Sequence, residues 1–427
     1  MSRRFKGLLV KRLMSMRRHR RQIQARNGSV ASRGKSKGAP CQTDQTCQIG
    51  ETKGYSGPYL PQDIWSHIHS LMPLRDAARA ACVSRVFLCS WRSRPNLTFS
   101  NQTLGLNENA CGKDEIARDF TSKVDQILKR HFHTSVKTLK LLSAPNHNAR
   151  YRRYLDSWLQ MAVTPGTEEL TLTLAEHFTV KKYKFPCSIL SHGNGDSIRH
   201  LSLDNCAFRP TVGLGCLRSL TRLDLFTVYI KGDELWCLLS NSSALEFMDI
   251  SYCHEIVCMK IPCLQRLTHL SVTGCSKLQL IESKAPNLSS FHFESDHQVQ
   301  LSLGETLRVK NLYIDCSGPI CHSRAELASS MPNLETLGIH SSSELVTTPL
   351  ASSKFLHLKS LSITLRGFTF SHGFDYFSKV SSPSLETFVL DVSQRLMEHP
   401  NYAKIRFLSL ASTWVYRTCH MIRAWLS

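Results

Sequence analysis

No stretch of eighteen consecutive apolar residues occurs in this 427-residue chain, which argues against a membrane-spanning helix. The start, MSRRFKGLLVKRLMSMRRHRRQ, offers only Gly7-Leu8-Leu9-Val10 as an apolar run, too short and too basic for a secretory signal, so no export route is expected. The sixteen cysteines are then expected as reduced thiols rather than as a disulfide framework. Catalytic signatures are missing: there is no G-x-S-x-G, no G-x-x-x-x-G-K-[ST] and no H-E-x-x-H. The cluster Cys253-His254, Cys258, Cys263 contains no C-x-x-C pair, and His131-x-His133 reads as a solvent-facing pair at a helix end. No enzyme activity, metal or cofactor is expected. Acids are absent from residues 1–43, which hold thirteen Lys and Arg. Most of the formal charge of +20 therefore belongs to a tail, and the rest of the chain is only mildly basic.

What is present is a period. Leu-x-x-Leu-x-Leu recurs, with its second apolar position at Leu170, Leu201, Leu223, Met248, Leu270, Phe291, Leu312, Leu337, Leu361 and Phe388. The steps run from 21 to 31 residues, the period of a leucine-rich repeat with one short strand and one return segment per unit. Cys206, Cys253 and Cys275 each lie three residues after the last apolar strand position, where such repeats place Asn or Cys as the chain turns out of the strand. The expected fold class is α/β: a leucine-rich-repeat solenoid, with a curved parallel sheet and helical or loop returns. The long steps near residue 170 suggest a full helix in the return, and the shorter later steps suggest loops or single turns.

Strand alternation sends the residues between the leucines to the concave face. The central column then reads Thr171, Ser202, Asp224, Asp249, Ser271, His292, Tyr313, Gly338, Ser362 and Val389. Arg222 and Phe247 belong to the column before it, and Phe226 to the column after it. Asp224, Asp249, Arg222, Phe226, Phe247, His292 and Tyr313 are the candidate binding residues. Across the three columns, seven acids face the single full base Arg222. That predicts a basic protein partner, against the alternative that Asp204, Asp315 and Asp391 merely bond nearby backbone at turns. Stacking is expected to place Asp224 and Asp249 about 5 Å apart, with a cation between them.

Ahead of the repeats, Ile64, Ile68 and Met72 recur at four-residue spacing with Trp65 beside them. Pro61 suits a helix start, Met72-Pro73 ends that helix, Asp76 is placed to cap a second, and Ser84 a third. Three short helices in about thirty-five residues bury too little surface to be robust alone. LPQDIWSHIHSLMPLRDAARAACVSRVFLCSW resembles an F-box, through Leu60, Pro61, Asp63, Ile64, Ile68, Met72, Pro73, Asp76, Ala77, Ala78, Val83, Ser84 and Phe87. Phe87 stands where Trp is commoner, and Ala77-Ala78 replace bulkier aliphatics. With the repeats behind it and the phrase WRSRPNLTFS just after it, the chain resembles plant F-box/leucine-rich-repeat proteins. The resemblance implies that Leu60, Pro61, Ile64, Ile68, Met72, Pro73, Val83 and Phe87 bind the small adaptor of a cullin–RING (SCF-type) ubiquitin ligase, while the repeats hold a protein substrate.

The expected organisation is a disordered basic arm over 1–57, the F-box over 58–100, a linker helix in 101–133, the repeat array over 134–395 and a divergent tail over 396–427. In the tail, Ile405-x-x-Leu408-x-Leu410 is nearly one more repeat. The arm suggests nuclear import through KRLMSMRRHRRQ, with a cytoplasmic protein or an organelle transit peptide as alternatives. A nucleic-acid-associated scaffold is the rival function, weakened because the basic residues 1–43 carry no Phe, Tyr or Trp beyond Phe5.

Overall fold

The computed structural model describes residues 61–408, except 107–111, 132–135, 146–147, 176–181, 192, 211–216, 305–306, 318–330, 343–354, 367–383 and 394–401. The basic arm, Leu60, His133 and the segment after Leu408 lie outside the described residues. The chain divides into two units, Met1–Tyr59 and Leu60–Ser427, and all that follows concerns the second.

Three helices open it: α1 (Gln62–Leu71), α2 (Leu74–Val83) and α3 (Arg85–Arg92). Pro61 and Pro73 are the N-cap residues of α1 and α2, and Ser84 caps α3 by accepting from the Phe87 amide. Asp76 does not cap α2; it lies inside the first turn, where its charge meets the positive end of the helix. The core of the module is small: Leu74, Ala77 and Trp91 are buried, with His69 among them. The His69 ring stacks on Phe87 and meets Trp91 edge-on, while its Nε2 lies 3.1 Å from the Ala77 carbonyl. Burial holds the His69 pKa below its usual value.

Arg94 ties the module together. Its guanidinium donates to the carbonyls of His69, Ser70 and Met72 at the end of α1, where the His69 carbonyl also accepts from the Met72 amide. Removing it takes a charged donor from three carbonyls at once. Arg94→Ala is expected to cost about 2–4 kcal/mol, taking roughly 1.5–3 for hydrogen bonds from a charged donor and the carbonyls' desolvation. Thermal unfolding of the wild type and variant checks this, and a shift of less than about 3 °C would show that water replaces the guanidinium.

The linker helix expected in 101–133 is α4 (Lys113–Arg130), which buries Phe120, Val124 and Leu128 along one stripe. At its end His131 is buried, not solvent-facing. Its Nδ1 lies 2.8 Å from the Ile127 carbonyl and its Nε2 2.5 Å from that of Trp91, so the ring is clamped between α3 and α4.

The sheet begins two strands before the first counted unit, at β1 (Asn96–Phe99), whose Leu97 and Phe99 are fully buried. It continues through β2 (Thr138–Ala144), β3 (Glu169–Leu174), β5 (His200–Asp204), β7 (Arg222–Phe226), β8 (Phe247–Ser251), β10 (His269–Thr273), β12 (Ser290–Ser295), β14 (Asn311–Ser317), β15 (Thr336–Ser342), β16 (Ser360–Arg366) and β17 (Thr387–Ser393), all parallel. The last strand, β18 (Tyr402–Leu408), pairs antiparallel with β17, so Ile405-x-x-Leu408 closes the described sheet instead of adding a repeat in the same sense. Each unit sends its three apolar positions inward, as Leu220, Leu223 and Leu225 show by being essentially inaccessible. Each such leucine contributes about 1.5–3 kcal/mol of apolar burial, which is how strands of five residues hold together.

The returns depart from expectation. The step from β2 to β3 holds a full helix, α5 (Ala149–Ala162), whose Trp158 packs on Phe120. The equally long step from β3 to β5 holds, among its described residues, a two-residue strand β4 (Tyr183–Lys184), which pairs in parallel with β6 (Cys206–Ala207), and a 3-10 turn at Cys187–Leu190. The shorter step after β7 carries the helix α6 (Gly232–Ser240). Beyond it, β9 (Cys258–Ile261), β11 (Leu280–Ser283) and β13 (Gln300–Ser302) form a second parallel ladder in the returns, where loops were expected. Met259, Ile281 and Leu301 stand in register across it.

Five of the strand exits are built in one way. Ser143, Asn205, Thr227, Tyr252 and Gly274 occupy the same repeat position, five residues after the strand start, and all have φ between 52 and 64°. The left-handed turn aims each backbone N–H at a carbonyl of the next unit, as from Thr227 to Ser251 and from Tyr252 to Thr273. Gly274 needs its missing side chain as well, because a Cβ there would lie 2.5 Å from the Tyr252 ring. One residue on, Cys206, Cys253 and Cys275 are buried beneath these turns, and the Cys253 thiol donates to the carbonyls of Leu225 and Ser251. Burial pushes the Cys275 thiol up to about 12. No helix among the described residues is long and apolar enough to cross a membrane.

Candidate functional site

Two surfaces collect the residues singled out by sequence. On the helical module, Ile64 and Ile68 are about two-fifths exposed and Val83 is 86% exposed. Pro61 and Pro73 are exposed and Met72 is half-buried. Phe87 turns inward instead, its ring 5.4 Å from that of Trp65, so it sets the spacing of α1 and α3. Leu71, 73% exposed, is a neighbour of Ile68 that sequence reasoning passed over, although 64, 68 and 71 is a regular helical stripe. Exposed Leu and Val in numbers are unusual on one small module, where they mark an interaction face.

The second surface is the concave side of the long sheet. The register places Thr171, Ser202, Asp224, Asp249, Ser271, His292, Tyr313, Gly338, Ser362 and Val389 side by side, one from each strand from β3 to β17. Arg222 is opposite Phe247 in the preceding column, and Phe226 opposite Ser251 in the following one.

The charges on this face answer one another. Lys140 of β2 contacts Glu169 at 2.7 Å, and Glu169 and Asp224 take the two nitrogens of His200 at 3.0 and 2.9 Å. Arg222 Nε donates to the same Asp224 oxygen at 2.9 Å. Arg222 is thus not the sole base of the columns: Lys140 joins it from a strand that the motif count left out. The cation expected between Asp224 and Asp249 is supplied from within, because Asp224 already holds Arg222 and His200. Burial raises the Asp224 pKa, but the hydrogen bonds from His200 and Arg222 outweigh it and leave the carboxyl below its usual range. Asp249 accepts from Ser251 Oγ at 2.7 Å, and Asp315 contacts His340.

Aromatic rings continue the surface. Arg222 lies over Phe247, Phe247 stacks on His269 with centroids 4.3 Å apart, and Phe226 meets Tyr252 edge-on. Two strands further, His292 stacks on Tyr313 at 4.4 Å, and Tyr313 lies flat where any side chain on Gly338 would stand. Phe247 and Tyr313 remain more than one-third exposed. Stacked rings beside ion pairs suit recognition of a polypeptide.

The leucine-rich-repeat profile described as At1g61320/AtMIF1, LRR domain, matches residues 127–407, and the F-box profile matches residues 58–99. The chain belongs to the plant F-box/leucine-rich-repeat family. Among its relatives in Arabidopsis thaliana, the F-box/LRR-repeat protein At5g02910 is 24% identical over 50% of this chain and 42% of its own length. The F-box/FBD/LRR-repeat protein At1g13570 is 26% identical over 46% of this chain and 44% of its own. The FBD-associated F-box protein At5g56380 is 25% identical over 71% of this chain and 72% of its own. The chain spans less than half the length of the first two relatives. As an F-box/leucine-rich-repeat protein it carries both surfaces that the family name announces, a helical module and a repeat sheet.

Proposed function

We propose that this chain is a substrate receptor of a cullin–RING ubiquitin ligase, docking the ligase's small adaptor through the F-box and a protein substrate through the repeats. The observation that carries the reading is the pairing of an exposed apolar face at Ile64, Ile68, Leu71 and Val83 with an unbroken concave register over ten strands. In this reading the contribution is proximity: holding a substrate beside a loaded conjugating enzyme raises effective concentration. The acids Asp204, Asp249, Glu294 and Asp315 and the exposed rings of Phe247 and Tyr313 favour a substrate segment with basic side chains, whose aliphatic stems lie along the rings. The acid-free arm over residues 1–43 serves nuclear import in this reading. Affinity purification of the tagged chain from plant cells tests it. Adaptor and cullin are expected in the eluate, and their absence at wild-type expression overturns the receptor role.

A further inference from the structure

A cleft of about 610 Å³ opens at the edge where the strands begin, over the units of β8 to β15. It belongs to neither surface described above. Its walls come from two repeat positions. Arg266, Asn287, Arg308 and Asn333 each stand three residues before a strand, and Thr268, Ser289 and Lys310 stand one residue before. The buried position between them, Leu267, Leu288, Val309 and Leu334, holds the rim to the core.

The two asparagines are structural. Asn287 donates its side-chain amide to the Gln265 carbonyl and Asn333 donates to that of Leu307, each clasping the preceding unit. Thr268 and Ser289 do the same with their hydroxyls, to Glu246 and Thr268. The arginines that alternate with these asparagines are not used in this way. Arg266 and Arg308 are exposed and make no ion pair among the described residues. Their units are two strands apart, roughly 10 Å at the backbone, with Asn287 between. Lys310 adds a third cation, shared with Glu335 at 2.9 Å, and Glu246 is the one acid in the lining.

We propose that this cleft is an anion site for a phosphoryl group carried on an extended polypeptide. Two guanidinium forks separated by two strands converge on one group between them, and each fork matches a pair of oxygens. A phosphoryl group offers three acceptor oxygens and nearly two charges, enough for both arginines and Lys310, whereas a carboxylate offers two oxygens and one charge. A nucleic-acid backbone would also bring phosphates, but the cleft holds no aromatic ring for a base, Leu307 being its one large apolar side chain. The anion site stands on its own geometry; its polypeptide carrier rests on the receptor reading.

Fluorescence anisotropy on the full-length chain tests the proposal, with a labelled degenerate phosphoserine peptide pool, the same pool with serine, and a single-stranded RNA homopolymer. The phosphoserine pool is expected to bind at least tenfold tighter than the serine pool, and Arg266→Gln with Arg308→Gln is expected to remove that difference. Both arginines are exposed, so the thermal melt and adaptor capture should not change. Asn287→Ala, which disturbs the same rim without touching charge, should retain the phosphoserine preference. Equal binding of the two pools overturns the proposal, as does a double variant that keeps the preference. RNA binding tighter than the phosphoserine pool and lost in the double variant overturns the polypeptide carrier. Adaptor capture without phosphoserine preference sinks this inference alone, whereas phosphoserine preference without adaptor capture sinks the receptor role and leaves the anion site standing.

Discussion

Replacing Ile64 and Ile68 by alanine is expected to abolish capture of the ligase adaptor while leaving the fold of the chain intact. Both side chains are two-fifths exposed on α1, so within the free chain their truncation removes few contacts. At a docked interface they become buried, and each then costs about 2–5 kcal/mol on truncation, the range for large-to-small changes in packed apolar surroundings. Even the low end summed over two residues lowers affinity by about a thousandfold, since each 1.4 kcal/mol is tenfold. Leu71→Ala should add to the loss, being more exposed still. Phe87→Ala is the contrasting variant. Its ring braces α1 against α3 through Trp65 and His69, so it should lower the melting temperature as well as the affinity. Pull-down with purified adaptor, beside a melt of each variant, separates the two outcomes. A double Ile variant that captures adaptor at wild-type level removes the functional content of the F-box.

The concave columns could be written down from the period because one apolar residue at every second position forces its neighbours to the opposite face. Register then follows from keeping all the leucines inward, since a slip of one residue would turn the whole set outward. β1 carries only Leu97 and Phe99, with no earlier unit to extend the rhythm, so it reads as part of the F-box flank. The return strands β9, β11 and β13 are three or four residues long, too short for alternation to stand out from a loop. β18 shows a different blindness: an apolar period is the same read in either direction, and only the paired backbone reveals that this strand runs against its neighbour. His131 looked like surface because it pairs with His133 at a helix end, and its burial comes from α3 meeting α4 across forty residues of sequence. The same holds for Lys140, His200 and Arg222. Their types and columns were legible, yet which carboxylate each one holds depends on side-chain reach in the folded sheet. The basic cleft was missed because its arginines sit three residues before the strands, outside the motif that organised the reading.

Asp224 is where charge on the concave face matters most to the fold itself. It accepts from Arg222 and His200, is only about a quarter exposed, and its other carboxylate oxygen is buried with no hydrogen-bond partner among the described residues. Asp224→Asn keeps the size but turns a charged acceptor into a neutral one facing the Arg222 guanidinium and the His200 ring. At pH 7 the variant is expected to lose about 1.5–3 kcal/mol, the range for hydrogen bonds to charged groups. The pH dependence follows from the sign of the shift. The folded-state pKa is depressed, so the stability it supplies is fully present above the unfolded aspartate value, near 3.9, and is lost as pH falls through the lower folded value. Wild type and variant should therefore differ clearly at pH 7 and converge in denaturant midpoint as pH drops below 4. Asp249→Asn provides the functional counterpart, since Asp249 accepts from a serine hydroxyl where Asp224 meets the Arg222 guanidinium and the His200 ring. That change should weaken capture of a basic substrate in a salt-sensitive way with a smaller loss of stability. Equal midpoints for wild type and Asp224→Asn at pH 7 would show the His200 and Arg222 contacts to be a solvated arrangement with no bearing on stability.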